Sequence, residues 1–317
     1  MRTVSLITPC YNGEKYLDAF FDGLLRQTYT DVELFFVDDG STDLTKKKYQ
    51  SYEERLLKRG YDLKYFYQKN EGQASAINSV LDRVNGEYLM WPDSDDVMYP
   101  NHIEEKVKAM KANKKTDLVM CEGIIVCEDN IEGKGKVLRR KRTLHDDLFA
   151  DYIYERNVVF APMAFMVRMS SFDKVNPQRK IYCGRQGQNW QLLLPLIYSG
   201  KWNYINKQLY RYVVRNKSHS HEERSFLETI DRLDGFKQIL LHTIRAIDKM
   251  PLKEKQWWEK QIEIKYLRKK LYLYQLHSCW EETIILKNKI RGINGRLSIK
   301  EMNMFINVRN RIFGDLV

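Results

Sequence analysis

Between residues 4 and 91 the chain alternates short apolar runs with stretches of helical period, and no other feature restricts its fold as much. Residues 4–8 form an apolar run that ends at Pro9, and a helical stretch follows over 16–27. Residues 32–38 read as a buried strand that stops at Asp-Gly-Ser. Residues 43–58 are helical in character, and 63–68 form the next strand. Residues 73–84 are amphipathic, with Ala76, Ile77, Val80, Leu81 and Val84 at helical spacing. A fourth short strand over 88–91 is closed by Pro92. Strand alternating with helix at this spacing predicts a parallel sheet covered on both faces.

Beyond Pro100 the pattern predicts a helix to about Asn113, a strand over 118–126 and an exposed loop or hairpin over 128–142. A helix follows over 188–198, with Gly200 suited to its C-terminal end, and a late strand over 204–214. From about His221 the chain is helical in character almost to its end, with breaks at Pro251 and at 292–295. The expected division is therefore a mixed domain over 1–220 and a helical region over 221–317. At 317 residues with 43% apolar side chains, the chain is long enough for one large core plus a smaller appendage. Five scattered cysteines without a C-x-x-C pair suggest neither a zinc site nor a disulfide framework, and a reducing cytoplasm is the expected setting.

In an open parallel sheet, ligands bind beyond the carboxyl ends of the strands. Three predicted strands end there in polar clusters: Thr8-Pro9-Cys10-Tyr11-Asn12, Asp38-Asp39-Gly40-Ser41-Thr42-Asp43, and Pro92-Asp93-Ser94-Asp95-Asp96. Several carboxylates gathered in one crevice repel one another. A divalent cation with oxygen ligands, Mg²⁺ or Mn²⁺, makes such an arrangement favourable and leaves positions open for phosphates. The turn after the first strand lacks G-x-G-x-x-G, which speaks against a nicotinamide dehydrogenase.

Over roughly residues 3–110 the sequence resembles glycosyltransferase family 2. The resemblance rests on Ser5-Leu6-Ile7-Thr8-Pro9-Cys10-Tyr11-Asn12, Val37-Asp38-Asp39-Gly40-Ser41-Thr42-Asp43, the stretch from Asn70 to Asn78, and the stretch from Gly86 to Asp96. It implies an α/β GT-A fold, a Rossmann-like mixed sheet flanked by helices, here with a C-terminal helical extension. It also implies a UDP-sugar donor and Mn²⁺ or Mg²⁺. Thr8 and Pro9 would line the nucleotide pocket, Tyr11 would stack on uracil, and Asp39 would accept the uracil N3–H. Asp38 would orient its loop. Asn70, Gln73 and Ala74 would border the ribose and donor sugar. Asp93, beside Ser94, would bond the ribose, and Asp95 would ligate the metal.

The family's later acidic pair, which supplies the base that deprotonates the acceptor, is replaced here by Gln188 and Asn189. An amide takes up no proton at neutral pH. Three mechanisms stay open at this point: inversion with another base such as Asp96, Glu122 or His219, retention without a separate base, and binding without turnover. Farther on, His219 and His221 are candidate metal ligands, and Arg211 or Arg215 candidate partners of the diphosphate. The acceptor expected from the resemblance is a carbohydrate, a glycoprotein or a glycolipid.

The net charge of +11 is concentrated near the end, where residues 236–317 carry 17 Lys/Arg against 8 Asp/Glu. Trp257, Trp258, Tyr266, Tyr272, Tyr274 and Trp280 lie among these cations. Such a composition suits helix packing in a homo-oligomer, or peripheral contact with the inner face of a membrane. No nucleic-acid-binding motif accompanies the charge.

Overall fold

The structure, a computed structural model, describes residues 2–141, 147–184, 187–215 and 224–294. The chain divides into two compact units, Met1–Glu222 and Glu223–Val317.

In the first unit, β1 (Val4–Cys10), α1 (Leu17–Leu25), β2 (Val32–Asp38), α2 (Thr45–Lys58), β3 (Asp62–Tyr67), α3 (Gln73–Leu81) and β4 (Tyr88–Met90) alternate as the apolar pattern predicts. All seven residues of β1 and of β2 are buried, which is why both read as continuous apolar runs. On α1, Leu17, Phe20, Phe21 and Leu24 recur at helical spacing and are fully buried, each contributing about 1.5–3 kcal/mol of transfer free energy. The strand β3 is only half-buried, as befits a sheet edge. Its Lys64 reaches inward to Glu33 on β2 at 2.6 Å. Glu33 also accepts from Ser5 Oγ and Asn85 N, so both oxygens of this buried carboxylate have partners.

The chain continues through β5 (Val97–Met98), α4 (His102–Ala112), β6 (Leu118–Cys127), β7 (Lys136–Leu138), α5 (Leu148–Tyr154), β8 (Phe165–Arg168), α6 (Met169–Val175), α7 (Gln188–Ser199) and β9 (Trp202–Val214). The nine strands form one sheet in the order β3-β2-β1-β4-β8-β6-β9-β5, with β7 paired to β6. The half made of β3, β2, β1 and β4 is parallel. From β8 onward the sheet is mixed, because β8 runs antiparallel to both β4 and β6 while β9 runs parallel to β6. The parallel sheet predicted from the alternation over residues 4–91 forms the first half of this mixed sheet.

The predicted loop or hairpin over 128–142 contains the antiparallel strand β7. Elements β5, α5, β8 and α6 carry no clear periodic signal, being two to seven residues long. The second unit holds α8 (Phe226–Arg245), α9 (Leu252–Leu276) and α10 (Trp280–Asn294). Ser225 caps α8 by a reciprocal capping box with Glu228, and Pro251 caps α9 at the expected break.

Candidate active site

The carboxyl ends of β1, β2 and β4 open on one edge of the sheet, and the turns that follow them are tied together. Asn12, at φ 50°, receives a bond on its Oδ1 from Thr42 N (2.8 Å), and its own N–H donates to Ser41 Oγ (2.9 Å). Asp39 N donates to Cys10 O (2.8 Å), which fastens the second turn to the first. Gly40 has φ +80°, and a Cβ there would lie 2.6 Å from Asn70 N, so the loop after β3 closes over a position only glycine fills.

Asp38 and Asp39 of the second turn are buried and already bonded. Asp38 accepts from Ser41 N (2.8 Å) and Tyr65 Oη (2.7 Å), a loop-orienting arrangement. Asp39 accepts from Gln68 Nε2 (2.7 Å), Glu71 N (3.0 Å) and Gly72 N (2.8 Å). It therefore anchors the 68–72 loop, a part that sequence reading missed. Gln68 was the available signal, but its partner lies 29 positions away in the chain.

The third turn gathers charge. Carboxylate oxygens of Asp93, Asp95 and Asp96 lie within 4.8 Å of one another. Asp96 is 1% exposed; its Oδ1 accepts from Val213 N at 2.9 Å, while its Oδ2 has no hydrogen-bond partner among the described residues. Arg215 Nε stands 2.8 Å from Asp95 Oδ2, an ion pair rather than a directed hydrogen bond. Burial is the first cause of the raised pKa values here. It lifts Asp93 to about 8, with repulsion from Asp95 adding to it. Asp95 is raised by burial against the pull of Arg215, and Asp96 is raised well above its ordinary range by burial and then by Asp95 and Asp93. Beside them, burial pushes the Cys10 thiol up to about 12, although Ser94 hydrogen-bonds to it.

Amides link this cluster to α7. Gln73 Nε2 donates to Asp93 Oδ1 (3.1 Å), and Gln188 Nε2 donates to Gln73 Oε1 (2.6 Å). Gln188 thus stands at the site, at the end of a relay reaching Asp93. Asn189 is committed differently: its Oδ1 accepts from Trp91 Nε1 and its Nδ2 donates to Phe160 O, both at 2.7 Å. It packs α7 against the strand end.

Other expected residues are placed as follows. Tyr11 is 44% exposed, its ring open beside the crevice. Thr8 and Pro9 are buried within β1, and Thr8 Oγ1 has no partner among the described residues. Ala74 is 2% exposed and belongs to the core face of α3, whereas Asn70 is exposed. Arg211 is not directed at the carboxylates: it donates to Ile131 O (2.5 Å) and Gly133 O (3.0 Å) and pairs with Glu132 (3.3 Å). Glu122 is 8% exposed on β6. His219 and His221 lie outside the described residues. Tyr16, which the sequence did not single out, flanks Arg215: the guanidinium lies 4.9 Å from its ring, and Tyr16 Oη donates to Glu128 (3.2 Å), which also pairs with Lys15 (3.3 Å).

A parallel half-sheet whose strand ends carry an Asp-x-Asp cluster, followed by a mixed half-sheet, is similar to the GT-A fold. The chain belongs to glycosyl transferase family 2, whose sequence model matches residues 5–175. An uncharacterized glycosyltransferase of Rickettsia typhi is 38% identical over 119 residues, 37% of this chain and 35% of its own length. The chain thus spans about a third of that curated relative. Among solved structures, TarS of S. aureus has a TM-score of 0.59 at 18% identity, covering 99% of this chain and 49% of that one. TarS 1-349 in complex with UDP-GlcNAc gives 0.57 at 17% identity, covering 92% and 90%. The mannosyltransferase PcManGT of Pyrobaculum calidifontis, in complex with GDP-Man and Mn²⁺, gives 0.57 at 15% identity, covering 96% and 79%. At these identities the structural likeness concerns the fold.

Proposed function

We propose that the protein transfers a hexose or N-acetylhexosamine from a UDP-sugar to a glycan, lipid-linked or glycoprotein acceptor, assisted by Mn²⁺ or Mg²⁺. The observation that carries this reading is the unpartnered, buried Oδ2 of Asp96 within 4.8 Å of the oxygens of Asp93 and Asp95. A hard oxygen donor set with an orphaned carboxylate oxygen fits a divalent cation of this size class. Asp95 and Asp96, with Asp93 beside them, would hold it. When bound, the cation supplies positive charge against the departing diphosphate.

The remaining tasks fall to this chain's own groups. A carboxylate offers about four lone-pair sites, and Asp39 uses three of them on its loop. The fourth is left for the uracil N3–H, with the exposed ring of Tyr11 as stacking surface. Gln73 holds Asp93 in place and Gln188 holds Gln73, which leaves the Gln188 carbonyl oxygen to accept from a sugar hydroxyl. Neither Gln188 nor Asn189 serves as a base. Support for a uridine donor comes from the family and from TarS 1-349, a fold relative crystallised with UDP-GlcNAc.

The test is UDP release from a panel of UDP-sugars, with and without Mn²⁺ or Mg²⁺ and with candidate acceptors. Cation-dependent release lost in Asp95→Ala supports the proposal. Cation-dependent UDP binding without turnover of any donor would favour a nucleotide-sugar-binding subunit, the reading that the two amides of α7 motivate. For the helical region we propose assembly: Leu252, Trp257, Leu276, Ile284 and Ile285 are exposed there. Light scattering of the whole chain tests it, and a monomer at all concentrations would defeat it. No described helix is long and apolar enough to cross a membrane. Peripheral contact is tested by flotation with anionic vesicles.

A further inference from the structure

The end of β9 is fastened to the carboxylate cluster at two points of different kinds. Val213 bonds Asp96 through its backbone N–H (2.9 Å), a link independent of side-chain charge. Two residues on, Arg215 bonds Asp95 through charge alone (2.8 Å). Arg215 is also held against a second surface, the Tyr16 ring at 4.9 Å, and Tyr16 in turn bonds Glu128. A guanidinium that leaves a carboxylate keeps the contact it already makes with an aromatic face. The guanidinium shares a cluster of three carboxyl groups whose oxygens lie within 4.8 Å of one another, and a doubly charged ion bound among them repels the guanidinium that shares Asp95.

We infer that Arg215 is an exchangeable counter-ion of the Asp93–Asp95–Asp96 cluster, which gives up Asp95 to a divalent cation and retreats to the Tyr16–Glu128 side. Arg215 thereby sets how tightly the cation binds and ties cation binding to the position of the end of β9. This rests on the cation reading above. It makes Arg215 a positioning residue, and its effect is read in binding rather than in turnover.

The experiment is a calorimetric titration of the whole chain with Mg²⁺, without nucleotide, for wild type, Arg215→Gln and Arg215→Lys. In parallel, the Arg215 Nε–H signal of wild type is followed by ¹⁵N-edited NMR, assigned by its loss in Arg215→Lys. Removing the competitor tightens Mg²⁺ binding in Arg215→Gln by about tenfold, within the usual range for two ligands coupled at one site. Arg215→Lys falls between the two. In wild type the Nε–H signal shifts with the same half-saturation as the calorimetric binding. If Mg²⁺ binds while that signal stays still, the exchange is refuted and the cation reading survives. Weaker binding in Arg215→Gln refutes it equally, since Arg215 would then be building the site. If Mg²⁺ binds none of the three proteins, the cation reading falls and this inference with it.

Discussion

Two neighbouring amides at the start of α7 illustrate how far one residue's role depends on what its side chain touches. Asn189 satisfies the indole N–H of buried Trp91 and the carbonyl of Phe160. Asn189→Ala leaves both without a partner and should cost about 1–3 kcal/mol, measured as a lowered denaturation midpoint. The side-chain hydrogen bond of Gln188 among the described residues goes to Gln73. Gln188→Ala should leave the midpoint nearly unchanged and raise KM or lower kcat, so steady-state kinetics beside a melting curve separate the two. Asp95→Asn removes a charge from the cluster and should lower cation-dependent turnover by about 10²-fold or more, the scale of losing one electrostatic stabiliser. A loss below tenfold would place the decisive ligand elsewhere.

At the scale of elements, the crevice is made by turns that are bonded to one another rather than by the strands themselves. Gly40 is the tightest point, with φ +80° and the backbone of Asn70 against the place a Cβ would take. Gly40→Ala should destabilise by about 1–3 kcal/mol and weaken nucleotide binding as well, because Asp39 and the 68–72 loop move with it. Thermal unfolding and a UDP titration would show both effects, and an unchanged UDP affinity would mean the loop does not border the nucleotide. Elements α1, α2 and α3 were legible because each buries a stripe at helical spacing in the core, as Leu17, Phe20, Phe21 and Leu24 do. Strands β5 and β8 were not, since two and four residues carry too little period to distinguish from loop. Their existence follows from the neighbours they pair with.

For the whole molecule, the buried cluster links stability to pH. Asp93 is raised to about 8, and Asp95 and Asp96 are raised as well. Between the ordinary carboxylate range and about pH 8, the folded protein therefore holds more protons than the unfolded chain, and this contribution to stability falls as pH rises. A divalent cation takes over the protons' role. The gain in melting temperature on adding Mn²⁺ should be small near pH 5 and grow toward about pH 8, as measured by scanning fluorimetry across that window. A gain that is constant or shrinks with pH would contradict the cluster as the cation's site.

The amino-acid sequence alone determined the alternating first half of the sheet, the three polar strand ends and the Asp-x-Asp element, because local period and turn chemistry are written in adjacent residues. The helical character of the C-terminal region and its break at Pro251 were legible for the same reason, whereas the break between α9 and α10 at 277–279 was not, and the break expected from residue 292 falls within α10. Tertiary structure decided which carboxylates meet. Asp93, Asp95 and Asp96 converge, while Asp38 is bonded to Ser41 and Tyr65 and Asp39 to the 68–72 loop. It also separated Arg215, on the cluster, from Arg211, which is held by the carbonyls of the β6–β7 connection. Both arginines look alike in the chain. Which charge faces which is set by strand pairing across more than a hundred residues, and no local pattern encodes that distance.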